Sequence, residues 1–78
     1  MPTVLLEDGF RFSFFANEGT EPPHVHVQKG AGTAKRWLDP PRLAWAYGFS
    51  PAQVRRISSI VRARNDFFVE RWRAFFSS

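Results

Sequence analysis

The chain has no cysteine among its 78 residues. This excludes a disulfide framework and a thiolate metal site, and nothing points to an oxidising compartment. No apolar run approaches the roughly 20 residues a membrane span needs. Met1-Pro2-Thr3-Val4-Leu5-Leu6-Glu7-Asp8 has neither the basic nor the apolar region of a signal peptide. The expectation is a cytoplasmic protein, prokaryotic by its size. Acidic residues are also scarce: seven Asp and Glu stand against eleven Lys and Arg, for a net charge of +4. Nine of the eleven cations are arginine. The planar guanidinium binds phosphate or carboxylate in two-point fashion and stacks on aromatic rings, so this bias fits an acidic or polyanionic partner.

Aromatic side chains are plentiful: nine Phe, three Trp and one Tyr. A chain this short is one domain, residues 1–78, burying only about 60–65 % of the surface its unfolded form exposes. The aromatics, at roughly 150–250 Å² each, must supply most of that burial.

Local patterns divide the chain into a β-meander and a helical tail. Strands are expected over about 3–7, 10–16, 24–29 and 33–38. Asp8-Gly9 lies between apolar runs, a two-residue hairpin signal. Phe10, Phe12 and Phe14 alternate with Arg11, Ser13 and Phe15. In the third strand Val25 and Val27 face one way, and His24 and His26 the other. In the fourth, Ala34, Arg36 and Leu38 share a side opposite Thr33, Lys35 and Trp37, and the pattern leaves open which side meets the core.

Asp39-Pro40-Pro41 reads as a cap followed by first-turn prolines, predicting a short helix over about 40–47 that ends at Gly48. Ser50-Pro51-Ala52-Gln53 is a capping box, with Phe49 and Val54 placed as a hydrophobic staple. From there a helix over 51–76 meets no Gly or Pro. As one rod it would run about 39 Å, beyond the roughly 26 Å diameter of a body this size. Either it breaks near Asn65-Asp66, or its end projects and packs on something else. The fold class expected is α+β, a four-stranded antiparallel meander followed by a short and a long helix (ββββαα).

Three constellations bear on function. His24 and His26 sit two apart on a strand, so both imidazoles project together. They suit proton transfer near neutrality, with Lys35, Arg11 or Arg36 beside them for a phosphoryl group. That would be a metal-independent ribonuclease-like site with His24, His26 and Lys35 as catalytic groups. As a metal pair they lack a third ligand, unless Glu18, Glu21 or Asp39 is folded back to them; the assignment made is no metal and no cofactor. As structural residues they would be hydrogen-bonded to the preceding loop.

The second constellation is arginine: Arg55, Arg62 and Arg73 share one azimuth of a continuous helix and, with Arg11 and Arg36, are the candidate binding residues for nucleic acid. The third is aromatic. Phe67, Trp72, Phe75 and Phe76 crowd the end of the last helix and form the candidate interface of a homodimer or heterodimer. Trp37, Trp45 and Tyr47 are assigned to core packing.

The segments Phe10-Arg11-Phe12-Ser13-Phe14-Phe15, Asn17-Glu18-Gly19, Glu21-Pro22-Pro23-His24-Val25-His26-Val27, Trp37-Leu38-Asp39-Pro40 and Tyr47-Gly48-Phe49-Ser50 run along almost the whole chain. In them the sequence resembles the prokaryotic domain-of-unknown-function family 4160 (DUF4160). Glu21, His24, His26, Lys35, Trp37 and Asp39 carry the signature; Arg36 departs from it, standing where an aromatic is expected. The resemblance implies the toxin-like component of a small toxin–antitoxin-like module, binding a small protein partner and acting on RNA. The alternative is a non-catalytic nucleic-acid- or partner-binding regulator with structural histidines.

Overall fold

The computed structural model describes residues 3–77; Met1, Pro2 and Ser78, included in the expected domain, lie outside the described residues. Five strands come first: β1 (Thr3–Glu7), β2 (Phe10–Ser13), β3 (His24–Lys29), β4 (Gly32–Leu38) and β5 (Pro41–Tyr47). They form one antiparallel sheet in the order β1-β2-β3-β4-β5, with β3 at its centre. A single 3-10 turn, Ala16–Glu18, interrupts the loop between β2 and β3. Helices α1 (Pro51–Ala63) and α2 (Asn65–Phe76) follow. The architecture is α+β, with five strands where four were expected.

The expected helix over 40–47 is therefore a strand. Leu43, Trp45 and Tyr47 alternate with Arg42, Ala44 and Ala46, a period of two that the prolines obscured. Proline does not obstruct β5, because Pro41 is its first residue and β5 is an edge strand. A bulge sharpens the disguise: Lys35 pairs with Trp45 and Arg36 with Leu43, leaving Ala44 as the extra residue.

The turns follow from local chemistry. Asp8 and Gly9 both take positive φ, 53° and 79°, as a tight hairpin between twisted strands requires. Ser50 caps α1 as expected. Its hydroxyl oxygen accepts from the Gln53 backbone N–H at 3.1 Å, and its own N–H donates to Gln53 Oε1 at 2.9 Å.

Both helices cover one face of the sheet. Ile57, Ile60 and Val61 of α1 and Phe68 and Trp72 of α2 bury against Phe10, Phe12, Phe14, Val25, Val27, Ala34 and Leu38. Each large side chain fully buried this way contributes about 1.5–3 kcal/mol. The face of β4 is settled here, since Ala34, Arg36 and Leu38 point at the helices.

The long helix does not project. It breaks at Arg64 (φ −117°, ψ 22°), and α2 packs Phe68 and Trp72 onto Phe12 and Phe14 of the sheet layer. Asn65 and Asp66 follow the break; such short polar side chains compete for backbone bonds and weaken a helix interior. Arg64 Nε donates to Glu7 Oε1 at 2.6 Å, and Arg56 pairs with Asp8, so two arginines moor the helical layer to the β1–β2 turn. The length argument for a projecting interface thus does not hold. Trp72 is buried in its own chain, its ring centroid 4.1 Å from that of Phe76 and 5.3 Å from that of Phe14. Phe67 and Phe76 are half-buried, and Phe75 alone of the four remains exposed, at 39 %.

Phe49 closes the β5–α1 corner. Its ring meets Phe10 edge-on at 5.8 Å and lies directly over Gly32, where an added Cβ would clash with it. Gly32→Ala must therefore displace Phe49 and is expected to destabilise the fold by about 1–3 kcal/mol. Urea denaturation checks this; an unchanged midpoint would mean that the corner gives way freely.

Candidate functional site

The sheet face away from the helices carries the residues with chemistry. Pairing across the strands aligns them in three rows. Arg11, Gln28, Thr33 and Tyr47 form one, Ser13, His26, Lys35 and Trp45 the next, and His24, Trp37 and Arg42 the third. Alternation along β3 brings the two histidines to this side, as expected.

The loop between β2 and β3 folds back over that end of the face. Phe15, the first residue beyond the core-facing Phe14, lays its ring parallel to the His26 imidazole at 3.7 Å. The 3-10 turn that follows places Glu18 between the histidines. One carboxylate oxygen, Oε1, lies 2.7 Å from Nε2 of His24 and 2.7 Å from Nε2 of His26. The other ring nitrogen of His24, Nδ1, donates to the Pro22 carbonyl at 2.9 Å. Trp37 and Trp72 enclose the His24 ring at 5.6 and 4.9 Å.

Both imidazoles are buried, with side-chain exposures of 0 % for His24 and 5 % for His26, whereas Glu18 keeps 22 %. Burial is the largest influence on His26 and pushes its pKa down. The hydrogen bond and charge of Glu18 pull it up without cancelling that, and His24 and Lys35 push it further down. For Glu18, burial is again the largest single influence and pushes the carboxyl up, but the hydrogen bonds and charges of the two histidines together outweigh it. They hold the carboxyl below its ordinary value.

Lys35, opposite His26, is not free. Its Nζ donates to Glu21 Oε1 at 2.6 Å and lies 4.6 Å from the centre of the Trp37 ring. The three residues assigned to catalysis thus share one neighbourhood, but each is engaged: two are buried against Glu18 and one is paired with Glu21. Of the carboxylates weighed as a third metal ligand, Glu18 reaches the histidines. Among the described residues, Glu18, His24 and His26 are the group whose ligand atoms stand close enough to share an ion. Glu18 had little signal of its own; its arrival depends on the 3-10 turn.

The arginines divide. Arg11 is exposed on the open face. Arg36 is not on any binding surface: it is 3 % exposed beneath the helices, its Nε and Nη2 lacking partners among the described residues. Burial, and then the like charge of Arg62, lower its pKa. Arg55 and Arg62 project from α1 and Arg73 from α2, so the break at Arg64 removes the single azimuth that joined them. Trp45 and Tyr47, assigned to the core, lie on the open face instead, their rings 5.6 Å apart and Tyr47 68 % exposed.

Acid should loosen the cluster. His26 has a folded pKa below its unfolded value near 6.5, so its contribution is complete above about pH 6.5 and is lost as pH falls towards the folded value. Glu18, also depressed, contributes above its unfolded value and loses that contribution as pH falls through the folded one. Both act in one direction. In chelator-treated protein the urea midpoint should fall from pH 7 to pH 4, and more steeply in Glu18→Gln, because without the carboxylate nothing pulls the His26 pKa back up. Parallel slopes in the two proteins would show that the cluster does not govern acid stability.

Neither a curated protein nor a solved structure matches the chain. The sequence model of one family does, over residues 9–73, which takes in β2 through most of α2 and every residue of the buried cluster. The chain belongs to DUF4160, a domain of unknown function.

Proposed function

We propose that the protein is a single-stranded-RNA-binding domain, and the RNA-contacting, toxin-like member of a small toxin–antitoxin-like pair. The observation that carries the binding reading is the open face itself. Trp45 and Tyr47 stand side by side on an edge strand, flanked by exposed Arg11 at one end of the rows and Arg42 at the other. Unpaired bases stack on such rings, and arginine takes the phosphates between them. A duplex has no unstacked bases to offer a sheet face, which favours single strands. The pairing with a second small protein rests on the family resemblance. The surface proposed for it is the depression lined by Thr3, Val4, Arg71, Ala74 and the exposed edge of Phe75.

Binding without turnover is the reading favoured over a ribonuclease. A general acid or base must come within hydrogen-bond reach of the substrate. His24 and His26 spend their Nε2 atoms on Glu18 and have almost no exposed surface, and Lys35 is held by Glu21. The phosphate-contacting role given to the helix arginines passes to Arg11 and Arg42.

Fluorescence anisotropy with a short single-stranded RNA tests the proposal. Affinity should fall steeply with salt, and Arg11→Ala and Arg42→Ala should each reduce the salt slope by about 0.7. Tyr47→Ala should cost about 1–3 kcal/mol if one base stacks on it. Arg55→Ala and Arg73→Ala should leave the slope unchanged. No binding at low salt, or a loss confined to the helix variants, would overturn the reading.

A further inference from the structure

The His24 ring is oriented for more than a structural hydrogen bond. A carbonyl oxygen only accepts, so the 2.9 Å contact with Pro22 O places a proton on His24 Nδ1. In the neutral ring Nε2 then carries a lone pair, and it faces the Glu18 carboxylate oxygen at 2.7 Å. Two acceptors at that distance repel unless a cation stands between them. A proton shared between the two atoms would serve. A metal ion would serve as well, and it would also satisfy His26 Nε2, aimed at the same oxygen from 2.7 Å.

We infer that Glu18, His24 and His26 bind one first-row divalent cation, with Zn²⁺ the ion best suited to two imidazoles and a carboxylate in a cysteine-free chain. The three ligand atoms lie within 4.8 Å of one another. Around Zn²⁺, ligands at about 2.0–2.2 Å stand roughly 3.3 Å apart, so the carboxylate must retreat by about 0.6 Å from each nitrogen and the two imidazoles must close towards each other by up to about 1.5 Å. The carboxylate can do so, because Glu18 ends a one-turn element and is the least buried member of the three.

The histidines are held in orientation by their neighbours, and small rotations of the rings bring the two Nε2 atoms together. His24 is held by the Pro22 carbonyl on its other nitrogen, the arrangement by which a supporting hydrogen bond fixes the tautomer of a metal-binding imidazole. His26 is fixed by its stack on Phe15. The nearby cation Lys35 is neutralised by Glu21, which removes the main electrostatic obstacle. Three protein ligands leave at least one coordination position for water. The bound ion fastens the loop over the open face to the central strand, and its free energy of binding adds to that of folding. This site borders the RNA-binding surface, the His26 ring lying 6.0 Å from that of Trp45, but metal binding does not depend on RNA binding.

The test uses the tag-free full chain, stripped with chelator and then titrated with Zn²⁺ by calorimetry and with Co²⁺ by visible absorption, RNA being absent throughout. Expected are one ion per chain, a Co²⁺ spectrum of nitrogen and oxygen ligands without a thiolate band, and a rise in melting temperature with Zn²⁺. Glu18→Gln should weaken Zn²⁺ binding by at least the roughly ten- to hundredfold that loss of a mere supporting partner costs. Asp66→Asn, an exposed carboxylate on α2, should bind as wild type. Imidazole ¹⁵N shifts of the wild-type protein decide the matter even if Glu18→Gln fails to fold. On adding Zn²⁺, the Nε2 signals of both His24 and His26 should move to metal-bound values while His24 Nδ1 stays protonated. Binding below one equivalent, binding unchanged in a folded Glu18→Gln, or histidine signals that do not respond would each overturn the inference.

Discussion

A five-stranded sheet has two faces, and this chain has only enough helix to cover one of them. That constraint organises the molecule. The helical layer fits because it breaks at Arg64, which lets Phe68 and Trp72 bury against the sheet. The opposite face is covered at one end by a loop of about ten residues, with Trp72 of α2 reaching the His24 ring at 4.9 Å. A loop has no amphipathic stripe to lay down, so it covers by individual contacts: Phe15 on the His26 ring, Glu18 between two imidazoles, Glu21 on Lys35. The polar cluster is thus also the fastening of the second layer, and it lies on the central strand, where both neighbours hold the backbone still.

The division of faces also explains where charge ends up. Arg36 occupies a position in β4 that alternation assigns to the helix side, between Ala34 and Leu38, and its guanidinium is buried there with two nitrogens unpartnered among the described residues. A buried cation without a partner is costly, and the nearby Arg62 adds to the cost. Its aliphatic stem nevertheless fills space in the apolar layer. On the open face the opposite holds. Arg11 and Arg42 keep their heads in water at the ends of the strand rows, while Lys35 gives up its freedom to Glu21. Charge on this protein is therefore best understood by face, not by helix.

Much of the fold was legible from local signals because the physics behind them is local. Asp8-Gly9 needs only its own backbone to make a hairpin turn, Ser50 and Gln53 need only each other to cap a helix, and the alternation of β3 needs no partner to put two histidines on one side. The pair at the heart of the candidate site was visible for that reason. Its third member was legible only as one of three carboxylates, since nothing in Asn17-Glu18-Gly19 announces that a 3-10 turn will carry one carboxylate oxygen to both rings.

The helix expected over 40–47 failed for a related reason. Asp39-Pro40-Pro41 satisfies the start rules of a helix, yet the same prolines are tolerated at the beginning of an edge strand, and the exposed ladder edge of β4 decided between them. The sequence by itself determined the turns, the cap, the first and third strands, the start of the second (expected to run to 16, it ends at Ser13) and the common direction of His24 and His26, because each depends on a few adjacent residues. The tertiary structure alone decided the fifth strand, the fold at Arg64, the burial of Arg36 and the position of Glu18, because each is settled by surface that distant segments must cover or pair.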